Sequence, residues 1–481
     1  MNTDRIGAAE DIIPDDLWPT EPSASKVRSF ANLKRWSEWW IASEGFRSAV
    51  RDDPLAPLAE AGIALDADES AAMRALAEGD HESFGELPES VEQYIDLVER
   101  IRPRSAGPPR ASGDPRLSRW RRREFERCEI ELGRMSAWKV TSSPVAIELA
   151  VGCTMNCWFC AVSAQPLEAV AKYDDEIELF DGIASTLRDV CGPTMRHGFL
   201  YWATDPFDNP DYERFAARFA EYAGAWPHTS TARAVQEPDR VRPLVACSRG
   251  ENYRNLQVSI LSEGALRRFH AAFTPEETLG VSVILHTPDS QAPVARAGFA
   301  RSEQRARRRS RLVGVDDAYT PACVTGFMVN LPHRRVQLVA PCNPSDEWPG
   351  GVRVFDEATF DDADDFAAII DTFIDRHAVR RLSADTPLDF RRLLTYHPAL
   401  DGFDLMARSH TINLRSRPAL DLIGALIANG DHPTLASVID VAAARGHDRE
   451  AVRATIDWLD EMAVFADQVP VMPPEQPVEI G

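Results

Sequence analysis

The sequence predicts an α/β protein. Short apolar runs recur from residue 145 onward and are typical of strands: "VAIELAV", "GFLYWAT", "TSTARAV", "LQVSIL" and "LGVSVIL". Segments with helical periodicity, such as "DYERFAARFAEYAGAW", separate them. This alternation implies parallel β/α units that form a barrel or an open sheet. At 481 residues, the chain is long enough for a large central domain with smaller flanking modules.

The first part of the chain divides into three predicted segments. Residues 1–25 are rich in Pro, Asp and Ser, which predicts disorder. From Ser25, apolar residues recur at helical spacing in "SKVRSFANLKRWSEWWIASEGFRSAV", which predicts a helical module over residues 26–102. The density of Pro, Gly, Ser and Arg in the next stretch predicts a linker over residues 103–120.

The central domain is predicted over residues 121–405. Its later part contains "CVTGFMVNLPHRRVQLVAPC", which predicts two strands around a "PHR" turn, and "GGVRVF", which predicts a third strand. Six arginines lie between Arg301 and Arg311. A solvated helix face is the favoured interpretation of such a run, and a binding patch is the alternative.

A last module is predicted over residues 411–466. An apolar helix around "LDLIGALI" precedes a second helix capped by Thr434 and ended by Gly446, and Asp448 begins a third. "MAVFAD" is predicted to add a short strand. Three helices with a β addition favour a winged helix, and the tail 467–481 is predicted to be disordered.

Charge and composition restrict the possible partners. The formal net charge of −22 repels a phosphate backbone, so nucleic acid is not expected, and a basic peptide segment or a small molecule fits better. No apolar run approaches the roughly 18 residues of a spanning helix, so no membrane association is expected. The N-terminal residues lack the pattern of a signal peptide, and the scattered remaining cysteines do not suggest disulfides. We therefore expect a cytoplasmic protein with reduced thiols.

The segment "GCTMNCWFCA" contains three cysteines, Cys153, Cys157 and Cys160, with Phe159 before the last. A zinc site normally has four ligands and a thiol redox motif has two cysteines, so neither fits well. A [4Fe–4S] cluster held by three thiolates leaves one iron open to a substrate or cofactor. The motif follows a predicted strand, and β/α barrels have their chemistry at the carboxyl ends of strands.

This Cys-x-x-x-Cys-x-aromatic-Cys motif resembles the cluster loop of the radical S-adenosylmethionine (SAM) superfamily. The resemblance implies a partial (β/α)6 barrel with one [4Fe–4S] cluster bound by Cys153, Cys157 and Cys160, and Phe159 beside the cofactor. It also implies that the open iron binds SAM and that one electron cleaves SAM to a 5′-deoxyadenosyl radical, which abstracts a hydrogen atom.

The same resemblance implies further SAM contacts. "ATDPFDNPDY" stands where the superfamily has a Gly-Gly-Glu-Pro-like turn, so Ala203, Thr204 and Asp205 take the places of residues that contact the SAM amine. Because Ala203 and Thr204 lack the tolerance of glycine for positive φ, this turn is predicted to use ordinary backbone angles. Ser259 in "LQVSILSEG", with Glu263 nearby, resembles the polar residue that contacts the SAM ribose or carboxylate.

The chain further resembles the radical SAM epimerases that mature ribosomally made peptides of the proteusin type, over most of residues 26–465. No cysteine follows Cys342, which indicates a single cluster and favours a redox-neutral reaction. The resemblance implies that a thiol returns a hydrogen atom to Cα and so converts an L- to a D-residue. Cys342 in "APCNPSDEWPGG" is the expected donor, and Cys323 is a candidate for restoring it. The alternative for both is a buried apolar side chain.

The flanking modules suit a peptide substrate. Residues 411–466 resemble winged-helix elements that bind the leader of a precursor peptide as an added strand. DNA binding is the alternative, but this segment has no basic stripe. The N-terminal helices, with Trp36, Trp39 and Trp40, either bind the leader or pack on the barrel, and packing is favoured because tryptophan is a common core residue. The arginine run is a candidate guide for an acidic leader, to be tested by replacing Arg307, Arg308 and Arg309 with Ser.

Two other functions stay open. One is a radical SAM enzyme that forms thioether or carbon–carbon crosslinks in a peptide, and the other is a non-catalytic iron–sulfur protein that binds peptides. A crosslink removes two hydrogen atoms, whereas epimerisation leaves the mass unchanged in ordinary water. Either enzyme would need a reductant such as flavodoxin or ferredoxin.

Overall fold

A computed structural model describes residues 23–80, 86–101, 111–134, 136–137, 143–247, 256–292, 294–301, 320, 322–378, 382–429 and 432–467. Most of both predicted disordered ends, and the arginine run after Arg301, lie outside these residues. The fold is mixed α/β and divides into two compact units. Unit 1 contains the described residues up to 101 and those from 228 to 294, and unit 2 contains those from 111 to 227 and from 295 onward.

Fifteen helices are described along the chain. They are α1 (Ala24–Ala42), α2 (Glu44–Asp52), α3 (Leu58–Ala61), α4 (Ala67–Glu78), α5 (Glu89–Ile101), α6 (Pro115–Leu132), α7 (Tyr173–Cys191), α8 (Tyr212–Ala223), α9 (Pro238–Cys247), α10 (Glu263–Ala272), α11 (Pro275–Thr278), α12 (Ala363–Ala378), α13 (Leu420–Ala428), α14 (Leu435–Ala444) and α15 (Arg449–Glu461).

Twelve strands are described, in four sheets. They are β1 (Ser143–Glu148), β2 (Ala150–Val151), β3 (Ala169–Val170), β4 (Thr229–Thr231), β5 (Leu256–Ile260), β6 (Ser282–Leu285), β7 (Val324–Asn330), β8 (Arg335–Pro341), β9 (Val352–Thr359), β10 (Thr395–Ala399), β11 (Gly402–Met406) and β12 (Thr411–Arg415). The sheet orders are β1-β7-β8-β9, β4-β5-β6, β10-β11-β12 and β2-β3.

Unit 1 combines helices α1–α5 with a parallel sheet. Its strands β4, β5 and β6 pair in parallel and are connected by α9, α10 and α11, as the alternating pattern predicts. Helix α1 packs in the same unit, where Arg35 donates to the carbonyl of Phe273 at 2.8 Å. Glu38 and His270 form a buried hydrogen bond of 2.8 Å. Segments far apart in sequence therefore share this core.

The N-terminal tryptophans are core residues of unit 1. Trp36, Trp39 and Trp40 are all buried, and the rings of Trp36 and Trp40 stack at 5.0 Å. The indole N–H of Trp36 donates to Ser70 Oγ at 3.1 Å, which satisfies its polar edge. The prediction that these side chains pack in a core is confirmed.

Unit 2 contains a four-stranded sheet whose first pair is parallel. Strand β1 pairs with β7, and β7, β8 and β9 follow as antiparallel neighbours, which confirms the three predicted late strands. The turn between β7 and β8 includes Arg334 at φ 51°. All residues of β1 are buried, and β1 leads directly to the segment with three cysteines.

Two expectations for unit 2 differ from the structure. In "GFLYWAT", Phe199 alone forms a ladder bridge, with Ala146 of β1, because the chain then turns away to residues 203–205. Helix α6 begins inside the predicted linker 103–120. Its N-cap is Asp114, whose carboxylate accepts the N–H of Arg116 at 2.6 Å, and Pro115 occupies the first helical position. Asp-Pro is a helix start, and the surrounding Pro and Gly obscured it.

The C-terminal part of unit 2 has its own apolar core. The caps at Thr434 and Asp448 are confirmed, since Thr434 accepts the N–H of Ser437 and Asp448 that of Ala451. Gly446 follows the second helix at φ 89°. The core extends upstream of residue 411, because strands β10 and β11 pack in it with the three helices. In the predicted "MAVFAD" strand, Phe465 forms a single bridge with Phe390.

Among the described residues, every helix is too short or too polar to cross a lipid bilayer.

Candidate functional site

The three cysteines lie on the cysteine loop, which we define as residues 152–165. Strands β2 and β3 pair antiparallel and close its base, with Ala150 opposite Val170. The N–H of Cys153 also donates to the carbonyl of Gln165 at 2.8 Å. The loop therefore returns on itself immediately after β1.

Gly152 begins the cysteine loop in a conformation that favours glycine. Its φ is +79°, and a Cβ there would lie 2.2 Å from the carbonyl oxygen of Pro166. A side chain would force the two ends of the loop apart. This glycine therefore permits the close approach that shapes the loop.

Each sulfur of the cysteine loop has a backbone partner. The N–H of Met155 donates to Cys153 Sγ at 3.4 Å, and the N–H of Ala164 to Cys160 Sγ at 3.3 Å. The Cys157 thiol is 3.9 Å from the carbonyl of Met155. All three side chains are half-buried. Amide donors to sulfur are a known means of tuning iron–sulfur clusters.

The surroundings keep two of these thiols protonated in the free protein. Burial raises the pKa of Cys153 to about 12, an effect that the Met155 N–H opposes and that Asp208 and Asp205 add to. Burial, with the nearby Cys160 and Asp205, raises the pKa of Cys157 to about 11. Ligation by these thiols would therefore release protons, as metal binding to cysteines does.

The three sulfurs are not arranged in the coordination geometry of a metal site. In the described part of the chain, no group of three or more His, Cys, Asp or Glu side chains is arranged to hold a metal ion. The donor chemistry nevertheless suits a cluster, because one short loop supplies three thiols together with backbone N–H groups aimed at sulfur. Phe159 is half-buried and edge-on to Trp158 at 5.4 Å.

The Ala203 turn, residues 203–205, lies against the cysteine loop. Asp205 lies close enough to Cys153 to affect the pKa of that thiol: its backbone N–H lowers the pKa and its carboxylate raises it. The Asp205 carboxylate accepts the N–H of Phe207 at 3.0 Å and so caps a short 3₁₀ helix, Pro206–Asp208. Neither Ala203 nor Thr204 has a positive φ, which confirms the prediction of ordinary backbone angles.

Two polar side chains fasten the segment after this turn to the loop and to β1. Asp208 accepts the backbone N–H of Thr154 at 2.9 Å and its hydroxyl at 2.5 Å. The Asn209 amide donates to the carbonyls of Leu149 and Ala171 at 3.0 and 2.8 Å. These bonds fix the Ala203 turn relative to Cys153.

Cys342 begins the Cys342 loop, residues 342–351, which connects β8 to β9. The N–H of Cys342 donates to the carbonyl of Gly351 at 2.9 Å and closes the loop. By register, β8 ends beside the first half of β7, whereas the cysteine loop follows the last residue of β1. The two loops therefore leave opposite ends of the sheet.

The two loops nevertheless meet. The N–H of Phe299 donates to the carbonyl of Cys160 at 2.9 Å, and the N–H of Gly298 to that of Pro349 at 2.7 Å. A Cβ at Gly298, whose φ is +52°, would lie 2.3 Å from the carbonyl oxygen of Ala161, and one at Gly350 would lie 3.2 Å from it. These two glycines allow the backbones to approach beside the third cysteine.

The side chain of Cys342 is enclosed by charged groups. It is 5% exposed. Burial raises its pKa to about 12, with Arg127 opposing and Glu131 reinforcing the shift. Arg127 donates to the carbonyl of Pro341 at 2.6 Å, and the Cys128 thiol donates to the same carbonyl at 3.2 Å. Cys342 therefore keeps its hydrogen at neutral pH and contacts α6.

Cys323 has a different environment. It is half-buried and packs with the apolar cluster around Ala146 and Phe199, to which Tyr201 and Trp202 also contribute. Burial raises its pKa to about 12. Cys323 is therefore the more accessible of the two thiols, and its neighbours are apolar.

The remaining predicted SAM contacts belong to unit 1. Ser259 is half-buried on β5, opposite Ile284 of β6. Glu263 begins α10 directly after the N-cap Ser262, a position where the helix dipole favours an acidic side chain. Ser259 and Glu263 thus belong to unit 1, whereas the cysteine loop and the Ala203 turn belong to unit 2.

Sequence reasoning missed several residues of this region. Arg127 and Cys128 were missed because α6 begins inside the predicted linker, although the Asp114-Pro115 start signal was present. Gly298 and Asp208 are far from the cysteine loop in sequence and contact it only in the folded protein. No local sequence pattern could therefore indicate them.

Comparison with known proteins gives a relative without an assigned function. No protein-family model matches the chain, and no solved structure matches it. The chain is 34% identical over 455 residues to the "Uncharacterized protein y4wI" of Sinorhizobium fredii (strain NBRC 101917 / NGR234). The alignment covers 90% of this chain and 86% of the relative. The chain therefore belongs to the same family as the uncharacterized protein y4wI.

Proposed function

We propose that this protein is a radical SAM epimerase that converts L- to D-residues in a ribosomally made precursor peptide. One observation carries the proposal: the cysteine loop is in contact with both the Ala203 turn and the Cys342 loop. Asp205 lies close enough to Cys153 to shift its pKa on one side, and Gly350 lies against Ala161 on the other. Ligands, cofactor turn and hydrogen donor thus belong to one connected region of unit 2.

Each part of this region has a role. Cys153, Cys157 and Cys160 would hold one [4Fe–4S] cluster, and the Ala203 turn, with Phe159, would contact SAM. When bound, the cluster and SAM supply a radical that removes a Cα hydrogen, after a flavodoxin or ferredoxin has provided the electron.

The hydrogen returned to the peptide comes from a thiol of this chain. Cys342 is buried and protonated, so its thiol carries a hydrogen atom at neutral pH. Delivery of that hydrogen requires a local opening, because Cys342 is covered by its loop and α6. Cys323 is the candidate that restores the donor after each turnover.

We further propose that the fold is a partial (β/α)6 radical SAM barrel with an N-terminal helical module and a C-terminal winged-helix leader-binding domain. The parallel pairing of β1 with β7 and of β4, β5 and β6, with helices between strands, supports the barrel. The sheet β10-β11-β12 followed by α13–α15 around one core supports the winged helix.

The leader of the precursor would bind to this last module. In the described sheet both β10 and β12 are edge strands, and an edge can pair with an extended peptide. Ile412 on β12 is partly buried against the module core, which offers a side-chain contact beside the free edge.

The test is mass spectrometry of the precursor encoded beside this gene. The precursor is reacted anaerobically with reconstituted protein, SAM and reductant in deuterated water. We expect each modified residue to gain one deuterium, because the donor thiol exchanges with solvent, and we expect Cys342→Ala to lose this gain while SAM cleavage continues.

Two results would contradict the proposal. Loss of two hydrogens without deuterium at Cα indicates crosslinking, and failure of the reduced, reconstituted protein to cleave SAM with peptide present indicates a non-catalytic role. Cys323→Ala is the control, since it should still allow the first turnover.

A further inference from the structure

Glu148 is a buried carboxylate that no part of the proposed chemistry uses. It is the last residue of β1 and is 7% exposed. One carboxylate oxygen accepts the backbone N–H of Ala203 at 2.8 Å, and the other accepts the side-chain amide of Asn330 at 2.9 Å. Glu148 thus joins the strand that leads into the cysteine loop to the Ala203 turn.

Asn330 is itself held in place. It is the register partner of Glu148 across the parallel pair β1 and β7, and its Oδ1 accepts the N–H of His333 at 2.9 Å. With its oxygen occupied, Asn330 can present only its amide N–H to Glu148. The hydrogen bonds of the row His333, Asn330, Glu148, Ala203 therefore converge on the Glu148 carboxylate, which accepts from both of its neighbours.

Burying this carboxylate is costly. Burial raises the pKa of Glu148, and the hydrogen bonds from Asn330 and Ala203 only partly oppose that shift. Arg335 and His333 also lower the pKa of Glu148, but among the described ion pairs neither forms a salt bridge with it. A residue retained at this cost in the core suggests a role beyond packing.

The bond to Ala203 has a geometric consequence. A trans peptide is planar, with its N–H and C=O on opposite sides. When the N–H of Ala203 faces Glu148, the carbonyl of Trp202 must face the other way. That carbonyl is then available to accept a hydrogen bond at the edge of the Ala203 turn.

We propose that Glu148 is a positioning residue that fixes the 202–203 peptide so that the Trp202 carbonyl, at the edge of the Ala203 turn, binds the ammonium group of an amino acid ligand. The inference rests on the proposed function, in which the α-ammonium of SAM is that group. Glu148 does not contact the ligand and acts through the 202–203 peptide.

The test uses a reciprocal pair of variants. In Glu148→Gln, the new side-chain NH₂ faces the NH₂ of Asn330, so the row is broken. The double variant combines Glu148→Gln with Asn330→Asp. Its introduced amide can accept from Ala203 and donate to the introduced carboxylate, which still accepts from His333. The double variant therefore restores every hydrogen bond with nearly unchanged shape.

We measure the SAM Kd of the anaerobically reconstituted full-length protein, the iron content, and hydrogen exchange of the peptide that contains Ala203. We expect Glu148→Gln to weaken SAM binding by about tenfold and to speed exchange at Ala203, with iron content unchanged, and the double variant to recover both. An unchanged SAM Kd in Glu148→Gln would overturn this inference alone. A wild-type protein that holds the cluster but binds no SAM would refute the proposed function and this inference with it.

Discussion

The cysteine loop and the Cys342 loop surround their sulfurs in different ways. In the cysteine loop, half-buried sulfurs accept backbone N–H groups from Met155 and Ala164. Cys342 is nearly inaccessible and has Arg127 and Glu131 of α6 as its charged neighbours. Burial gives Cys153 and Cys342 the same raised pKa of about 12, so the pKa does not distinguish them. The surroundings of the two sulfurs do distinguish them. Half-buried sulfurs with backbone N–H donors suit cluster ligands, whereas an enclosed thiol suits a hydrogen-atom donor.

The largest effect is expected from removing a proposed ligand. Cys157→Ala should lose nearly all cluster iron and reduce SAM cleavage at least about a thousandfold, because two thiolates do not hold a [4Fe–4S] cluster. Iron and sulfide assays with product analysis measure both. The control is Cys191→Ala, which removes a thiol of unit 2 that lies outside the cysteine loop. Full iron content in Cys157→Ala would show that the two loops do not differ in the way proposed.

The next effect concerns the contact between the two loops. Gly298→Ala places a Cβ where the Ala161 carbonyl lies, at positive φ, and should lower the free energy of unfolding by about 2–4 kcal/mol. Gly224→Ala is the control, because Gly224 also has positive φ but no atom within 4 Å of the added Cβ, and should cost about 1 kcal/mol. Urea unfolding measures both, and equal losses would show that the loops do not depend on this contact.

Between about pH 8.5 and 10.5, the free energy of unfolding should fall because of the enclosed thiol of Cys342. Burial raises the pKa of Cys342 to about 12 in the folded protein, against about 8.5 when unfolded, so the unfolded chain loses this proton first. The stabilisation is complete below pH 8.5 and is lost as pH rises toward 12, at about 1 kcal/mol per pH unit. Urea unfolding of wild type and Cys342→Ser between pH 8.5 and 10.5 should show a shallower decline in the variant. Parallel curves would mean that Cys342 is as exposed as an ordinary thiol.

The smallest effect is expected at the edge of the cysteine loop. Thr154→Val removes the hydroxyl that Asp208 accepts and should cost about 1 kcal/mol, whereas Thr154→Ser keeps the bond and should cost less. The same urea series resolves the two. If Thr154→Ser is destabilised as much as Thr154→Val, the methyl group rather than the hydroxyl holds the loop.

Local patterns predicted the parts of this protein that short-range physics determines. The caps Thr434 and Asp448, the turn before Arg335 and the burial of Trp36 follow from side chains and periodicity within a few residues. The spacing of the cysteines after β1 likewise indicated where the candidate site begins.

The rest depends on contacts that no local pattern contains. Glu148 meets Asn330 across 182 residues, and Asp208 meets Thr154 across 54. The environment of Cys342 is determined by α6, which begins more than two hundred residues earlier. Such bonds depend on which strands and helices become neighbours, and periodicity reports only which face of an element is apolar.

Unit 1 is built from segments that are separated in sequence, and this affects its folding during synthesis. Helix α1 completes its core with His270 and Phe273, but more than a hundred residues of unit 2 are translated between the two parts of unit 1. At roughly 5–20 residues per second, Trp39 of α1 waits roughly ten to fifty seconds for its ring partner His270 to leave the ribosome. During that interval the face of α1 that packs against His270 and Phe273 is uncovered, so yield in a heterologous host should depend on chaperone supply and on translation speed across residues 111–227.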